Sequence, residues 1–128
     1  MLQDNTLIFA EASADATGLA LEIDGTSLAK KAFVFCTLPS GLTACAVTLK
    51  LGNAVSGTPS AISTALHTEV HNATAIDLAR GWMAFPMPVA DYKYAQADVD
   101  ITGTAAKDFV CGITDNPSNL QDHVSAGY

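Results

Sequence analysis

The chain has 128 residues, of which 49% are apolar and only 15% are charged, against a typical charged fraction of about 25%. This length suits one domain with a single core, and so few charges leave apolar surface for a partner to cover. The 13 acidic and 6 basic residues give a formal charge of −7. That balance argues against direct binding to nucleic acid or to anionic membranes, because both need clustered Lys and Arg.

No run of 18 apolar residues is present, so the sequence predicts no membrane span. The first residues lack the basic start and apolar stretch of a secretory signal, and we therefore expect a protein made and used without export. Cys36, Cys45 and Cys111 are widely spaced and odd in number. They fit neither a metal-binding pair nor a disulfide framework, which predicts buried free thiols.

Short strands are predicted through the N-terminal half, beginning with Leu7–Phe9 and Leu19–Ile23 on either side of a loop. Residues 32–38 are continuously apolar and rich in β-formers, which predicts a central strand buried on both faces. Pro39 and Gly41 then favour a turn, since proline cannot donate to a ladder and glycine accepts turn dihedrals.

The next strand shows the clearest alternation of the chain. Its apolar side chains, at every second position, are expected to face the core, and the small or polar ones between them to face outward. The inward set is Cys45, Val47, Leu49 and Leu51. A long loop is predicted over residues 52–60 because of its glycines and proline.

Residues 61–70 are ambiguous between helix and strand. Ile62, Leu66 and Val70 lie at helical spacing, but they also fall on one face of a period-two pattern. The many Thr and Ser residues of this segment favour a strand.

His67 and His71 flank Glu69 in the same region and raise the question of a metal site. The order differs from that of zinc proteases, in which Glu directly follows the first His. In a strand the two histidines would lie about 13 Å apart on one face, too far to share one ion. We interpret them as part of a solvated polar face.

Residues 82–88 form an aromatic and thioether cluster in which core packing is the first expectation. Pro86 and Pro88 favour a position at the edge of a sheet. Edge aromatics often anchor interfaces, so Trp82 and Phe85 are also candidate contact residues.

Residues 91–101 change phase, because apolar side chains occupy even positions at Tyr92 and Tyr94 and odd positions from Ala95 onward. A β-bulge near Tyr94–Ala95 would absorb this shift. Asp98 and Asp100 are then expected on the outward face, toward solvent or a basic partner. A turn follows the strand, and we expect Phe109 to begin its hairpin partner.

Together these segments predict an all-β protein of about seven to eight mostly antiparallel strands, arranged as a sandwich or barrel. One domain is expected over residues 1–128, with a core at about 7–115 and a tail at 116–128. The sequence holds no nucleophile elbow, phosphate loop or calcium loop. We therefore predict no enzymatic activity, no cofactor and no metal.

The order of several short motifs resembles the small capsid cement, or decoration, proteins of short-tailed phages of the Bordetella-phage type. The resemblance covers nearly the whole chain, whereas residues 50–79 depart from the family pattern. It rests on the opening Met1-Leu-x-Asp-x-x-Leu7-x-Phe9-x-x-Ala12, on Leu21-Glu-Ile-Asp-Gly25, on Phe85-Pro-Met-Pro88, and on Val99-Asp-Ile-Thr-Gly-Thr104 followed by Phe109-Val-Cys-Gly-Ile-Thr-Asp115.

This resemblance implies a jelly-roll-like β-sandwich with an N-terminal arm and a C-terminal tail. Such a protein is made in the bacterial cytoplasm and sits on the capsid exterior of the virion. Its partners would be the major capsid protein and further copies of itself, as a homodimer or homotrimer. The candidate interface residues are Leu2, Leu7, Phe9, Trp82, Phe85, Leu120 and Tyr128.

Two alternatives stay open from the sequence. A head-completion or tail subunit would belong to the same structural class. A ligand- or sugar-binding β-barrel would use exposed aromatic rings for stacking, and Trp82, Tyr92 and Tyr94 are the residues that could supply them.

Overall fold

The computed structural model describes residues 6–23, 32–88 and 92–114. This part of the chain contains eleven strands and one short helix. The elements are β1 (Thr6–Ala12), β2 (Ala16–Thr17), β3 (Leu21–Glu22), β4 (Phe33–Thr37), β5 (Leu42–Gly52), β6 (Val55–Ser56), β7 (Ala61–Ile62), β8 (His67–Asn72), α1 (Ala75–Arg80), β9 (Trp82–Pro86), β10 (Tyr94–Gly103) and β11 (Phe109–Thr114).

The strands form two antiparallel sheets that face each other. Sheet A has the order β1-β11-β4-β9, and sheet B has the order β2-β10-β5-β8, with β3 also paired to β10. β6 and β7 make a separate hairpin. The all-β fold predicted from period-two alternation is therefore confirmed, and of the sandwich and the barrel that the pattern allowed, the structure is a sandwich. The strand count exceeds the prediction because four strands have only two residues each.

Both sheets bury one face in a shared apolar core. From sheet B, the core takes alternate residues of β5 and β10, including Val47, Leu49, Leu51, Ala97 and Val99, all at most 2% exposed. The predicted inward face of β5 is thus confirmed. β4 lies between β11 and β9 with residues 34–37 buried, as expected of a central strand.

The predicted bulge near Tyr94–Ala95 is wrong. β10 pairs with β5 without interruption from Tyr94 opposite Gly52 to Thr102 opposite Ala44, and the register shifts only at Gly103. Tyr92 precedes the strand, and Tyr94 faces outward in phase with Asp98, so the ladder needs no extra residue. Gly103 has a φ of 101° at the observed shift, a left-handed conformation that glycine adopts without steric cost.

The predicted hairpin between β10 and β11 is also wrong. β11 pairs with β1 and β4 in sheet A, whereas β10 belongs to sheet B. Residues 104–108 therefore carry the chain from one sheet to the other. Phe109, Cys111 and Ile113 do face the shared core, but Val110 on the opposite face is buried as well, because it packs in a second apolar cluster with Phe35.

The middle of the chain is more structured than its sequence indicated. The predicted loop at 52–60 contains β6, and the ambiguous 61–70 segment gives β7 and the start of β8, separated by a bend. Strand rather than helix is confirmed there, although not as one continuous strand.

Helix α1 was not predicted, although its end signals are present in the sequence. The Thr74 hydroxyl accepts from the Asp77 N–H, and the Asp77 carboxylate accepts from the Thr74 N–H, which is a complete capping box. Gly81 ends the helix in a left-handed conformation. Among the described residues, no helix has the length and apolarity needed to cross a bilayer.

Candidate functional site

Seven contact residues are expected from the sequence, and four of them lie among the residues that the structure describes. Phe9 and Phe85 are 2% and 6% exposed and pack in the core, so neither ring is available to a partner from the folded chain. Both rings are buried because each lies on the face of its strand that is directed toward the opposite sheet. Leu7 is half-buried and packs against the core. Leu2, Leu120 and Tyr128 lie outside the described residues.

Trp82 is the fourth predicted contact residue and lies half-buried on the outer face of sheet A. It packs there with Ala84 against Phe35 and Val110. The guanidinium carbon of Arg80 lies 3.8 Å from the centre of its ring, a cation–π contact. Arg80 also donates from Nε to the Trp82 carbonyl at 3.0 Å. One face of the indole is therefore covered within the chain.

The three aromatic residues considered for sugar stacking are not brought into one platform. Trp82 lies on the outer face of sheet A, whereas Tyr94 belongs to β10 and faces outward from sheet B, in phase with Asp98. Tyr92 packs partly against the core. A stacking surface built from all three rings is therefore absent from the described part of the chain.

A cluster of His67, Glu69 and His71 lies on the inner face of β8, and we call it the His–Glu–His cluster. The Nε2 atoms of His67 and His71 each lie 2.9 Å from a different oxygen of Glu69. These residues are opposite Leu51, Leu49 and Val47 of β5, which fixes the face they occupy.

This placement corrects the expected phase of the segment. We expected a solvated polar face at the histidines, but their side chains are only 35–36% exposed. Val70 and Leu66 instead point outward and are 57% and 56% exposed. β8 is an edge strand, so its inner face lies at the rim of the core, where polar side chains reach water while their stems pack on apolar neighbours.

Contacts to the other sheet hold the His–Glu–His cluster in place. The His71 ring stacks on Phe85 of β9, with centroids 3.6 Å apart and an interplanar angle of 7°. Burial disfavours the ionised form of Glu69, but the hydrogen bonds and charges of His67 and His71 outweigh it and hold the pKa of this carboxyl below its usual value. The cluster thus fastens the open side of the sandwich between β8 and β9.

The lowered pKa of Glu69 predicts a pH-dependent contribution to stability. A depressed pKa in the folded state stabilises the fold above the unfolded value of 4.5, and the contribution is lost as the pH falls through and below that value. We expect Glu69→Gln to lower the free energy of unfolding by roughly 1 kcal/mol near neutral pH. The difference from wild type should shrink below pH 4.5, measured by urea unfolding from pH 7 to pH 3. An undiminished difference at pH 3 would refute the assignment.

An acidic hollow of about 340 Å³ lies on the outer side of sheet B. As predicted, Asp98 and Asp100 face outward there. Asp98 forms an ion pair with Lys50 at 2.9 Å and accepts from the Gly18 N–H, while Asp15 accepts from the Ile101 N–H at 2.8 Å. Asp15 therefore joins the β1–β2 loop to β10, and Asp98 joins β10 to the residue that follows β2.

The three cysteines converge in the core, and the prediction of buried free thiols is confirmed. Cys36 and Cys111 are cross-strand partners in sheet A. Hydrogen bonding to Cys111 and burial raise the pKa of the Cys36 thiol, and hydrogen bonding to Cys36 and burial raise that of Cys45. Thiols with raised pKa values are poor nucleophiles and poor metal ligands.

Neither comparison with known proteins nor a metal-binding cluster among the described residues indicates a function. Comparison of the chain with protein-family models, curated proteins and solved structures found no match. Within residues 6–23, 32–88 and 92–114, no three His, Cys, Asp or Glu side chains are grouped so as to hold a metal ion. The remaining surface feature is a set of exposed apolar side chains. Of the five large ones in the described residues, three fall within residues 66–76, which contain β8 and the start of α1: Leu66, Val70 and Ile76.

Proposed function

We propose that this chain is a structural protein of a phage virion, a capsid cement protein that binds the outside of the head and ties neighbouring major capsid subunits together. The motif order described above motivates this proposal. The interleaved strand order supports it, because β1 pairs with the final strand and the last four long strands, β8 to β11, alternate between the two sheets. Such interleaving fits the jelly-roll architecture that the resemblance implies.

The observation that carries the proposal is the exposure of three large apolar side chains within residues 66–76. Leu66, Val70 and Ile76 are 56%, 57% and 73% exposed, in a chain of low charge. Exposed apolar side chains on a rigid scaffold are typical of surfaces that bind other proteins. Ile76 stands on α1, which the capping box and Gly81 fix at both ends, so its side chain is presented at low conformational cost.

Cementing a shell requires only modest affinity at each contact. Where one subunit contacts two neighbours, the second contact forms at high effective concentration, and the combined binding exceeds either contact alone. Residues 6–9 belong to β1 and so are not part of a free N-terminal arm. A sandwich with outward apolar residues and a C-terminal tail at 116–128 could make several such contacts.

The direct test is to mix purified protein with undecorated heads of the phage whose genome encodes the chain. We expect regular density on the head exterior by electron microscopy. Leu66→Lys with Ile76→Lys should weaken attachment at least about tenfold, because charge replaces apolar contact area at an interface. The matched control is Leu19→Lys, which alters a side chain that is 44% exposed and distant in sequence from β8.

Removal of the last ten residues tests the tail separately. We expect weaker attachment with an unchanged circular dichroism spectrum. Heads that stay bare with the wild-type protein would contradict the cement function, and equal attachment of all variants would contradict the assigned contact residues. Specific binding on a glycan array, together with bare heads, would favour the sugar-binding alternative.

A further inference from the structure

The edges of sheet A are closed to further strand pairing. β1 carries a bulge between Ile8 and Ala10, and the Phe9 carbonyl there already accepts from the Leu19 N–H at 3.0 Å. Bulges and occupied carbonyl groups prevent another strand from pairing in regular register. β1 is therefore a poor template for an added strand.

The other edge of sheet A, β9, is protected by different means. It ends at Pro86, which lacks an N–H group, and its Trp82 carbonyl accepts from Arg80. Proline and side-chain capping both block edge pairing. In sheet B, β2 and β3 have only two residues each, which makes that edge too short to pair well.

β8 has none of these protections. Its six residues, His67–Asn72, pair with β5 in unbroken register and contain neither proline nor bulge. The Ala73 N–H continues this pairing by donating to the Cys45 carbonyl at 2.8 Å. Backbone N–H and C=O groups point to alternate sides along a strand. The odd-numbered residues of β8 therefore bond to β5. The backbone groups of Thr68, Val70 and Asn72 point away from the sheet.

These outward groups are not used elsewhere in the described chain. Neither sheet pairing nor any other hydrogen bond among the described residues occupies the backbone groups of Thr68, Val70 or Asn72 on this side. Val70 adds a 57% exposed apolar side chain at the centre of the same segment. A regular, apolar-centred open edge is a template for another strand.

We propose that β8 pairs with β8 of a second copy of this chain, antiparallel and across a two-fold axis at Val70. This arrangement joins two B sheets into one continuous sheet. Val70 lies opposite Val70 of the second copy, and Thr68 lies opposite Asn72 of the second copy. All three residues with outward backbone groups thereby gain partners, in the self-complementary manner of a two-fold interface.

The pairing of acidic and histidine side chains favours this register over one centred on Glu69. With the axis at Val70, Glu69 lies opposite His71 of the second copy, and His71 opposite its Glu69, so the two acid–histidine pairs are equivalent by symmetry. Directly opposed side chains have Cβ atoms about 4.5–5.5 Å apart. A shift that centres the axis on Glu69 would oppose two carboxylates instead, which is unfavourable.

This dimer deepens the proposed function and rests on it only for its role, since a two-fold pair leaves Leu66 and Ile76 of both copies for contact with the capsid. Its existence is tested without heads. We expect sedimentation of the purified full chain to show a concentration-dependent monomer–dimer equilibrium. A protein that is monomeric at all concentrations, or that forms only trimers, would overturn the inference.

Substitutions at the axis test the edge itself. Val70→Lys places two ammonium groups opposite each other, and Val70→Pro removes an N–H that points away from β5. Both should raise the dimer dissociation constant at least about tenfold while leaving circular dichroism unchanged. Leu19→Lys is the control, because it makes the same apolar-to-charge change at a 44% exposed side chain outside β8, and it should leave the dimer intact. Unchanged dimerisation of both Val70 variants would refute the pairing.

Cross-linking through introduced cysteines tests the register of the β8–β8 pairing. Opposed Cα atoms in a hydrogen-bonded pair lie about 5.5 Å apart, within reach of a disulfide. Val70→Cys should therefore form a disulfide-linked dimer under mild oxidation, whereas Thr68→Cys should not, because its opposite residue is Asn72. The native thiols are buried and contribute little background. Efficient cross-linking through residue 68 instead of 70 would contradict the axis at Val70.

If the protein leaves heads bare but forms the β8-paired dimer, the cement function is rejected and the dimer inference stands. If the protein decorates heads but is strictly monomeric in free solution, the dimer inference is rejected and the cement function stands.

Discussion

Leu49→Ala is expected to lower the free energy of unfolding by about 2–5 kcal/mol, from lost transfer energy and from the cavity left behind. Leu49 is 0% exposed in the middle of β5, between β10 and β8, and faces the opposite sheet. Its cross-strand neighbour in β10 is Ala97, whose small side chain cannot fill the space.

Leu66→Ala is the matched control for this change. It removes the same atoms from a side chain that is 56% exposed, so we expect a loss of at most about 0.5 kcal/mol. Urea unfolding followed by Trp82 fluorescence measures both variants. Similar losses for the two substitutions would contradict the packing of β5 between the sheets.

Gln96→Leu is expected to lower the free energy of unfolding by about 2–4 kcal/mol despite preserving side-chain size, because one buried and one partly buried backbone group lose their partners. Gln96 is 2% exposed. Its Oε1 accepts from the Ile62 N–H at 2.9 Å, and its Nε2 donates to the Gly18 carbonyl at 2.9 Å. One amide thus fastens both the β6–β7 hairpin and the loop after β2 to sheet B.

Hydrogen exchange gives the local readout for this variant. The Ile62 amide should lose protection in Gln96→Leu, beyond what the global loss of stability explains. Asp100→Leu on the same face of β10 is the control, because its side chain is exposed. Retained protection at Ile62 would show that Gln96 does not secure the hairpin.

The polar groups that matter most to the fold could not be identified from the sequence. Gln96 sits on the outward face of β10, in a position that alternation alone assigns to solvent. It is buried because β7 and the Gly18 loop cover it, and both approach from distant parts of the chain. Similarly, helix α1 has clear end signals in Thr74, Asp77 and Gly81, but it is only six residues long and lacks a periodic apolar face.

Continuous apolarity along β4 and alternation along β5 were sufficient to predict an all-β sandwich or barrel and the inward residues of its longest strand. That success has a simple cause, since a strand with one buried face must alternate, and a strand buried on both faces must be apolar throughout. The exposed and buried sides of β8 were reversed because an edge strand is only weakly constrained by the core. There, Val70 faces out and Glu69 faces in without a large penalty.

The sequence by itself therefore determined the class of fold, the core of the central strands and the buried state of the thiols, because these follow from local hydrophobic pattern. Only the tertiary structure decided which strands share a sheet, that β10 and β11 lie in different sheets, and that β8 is an unprotected edge. Strand pairing depends on contacts between residues far apart in the chain, and no local pattern encodes which edge is left open.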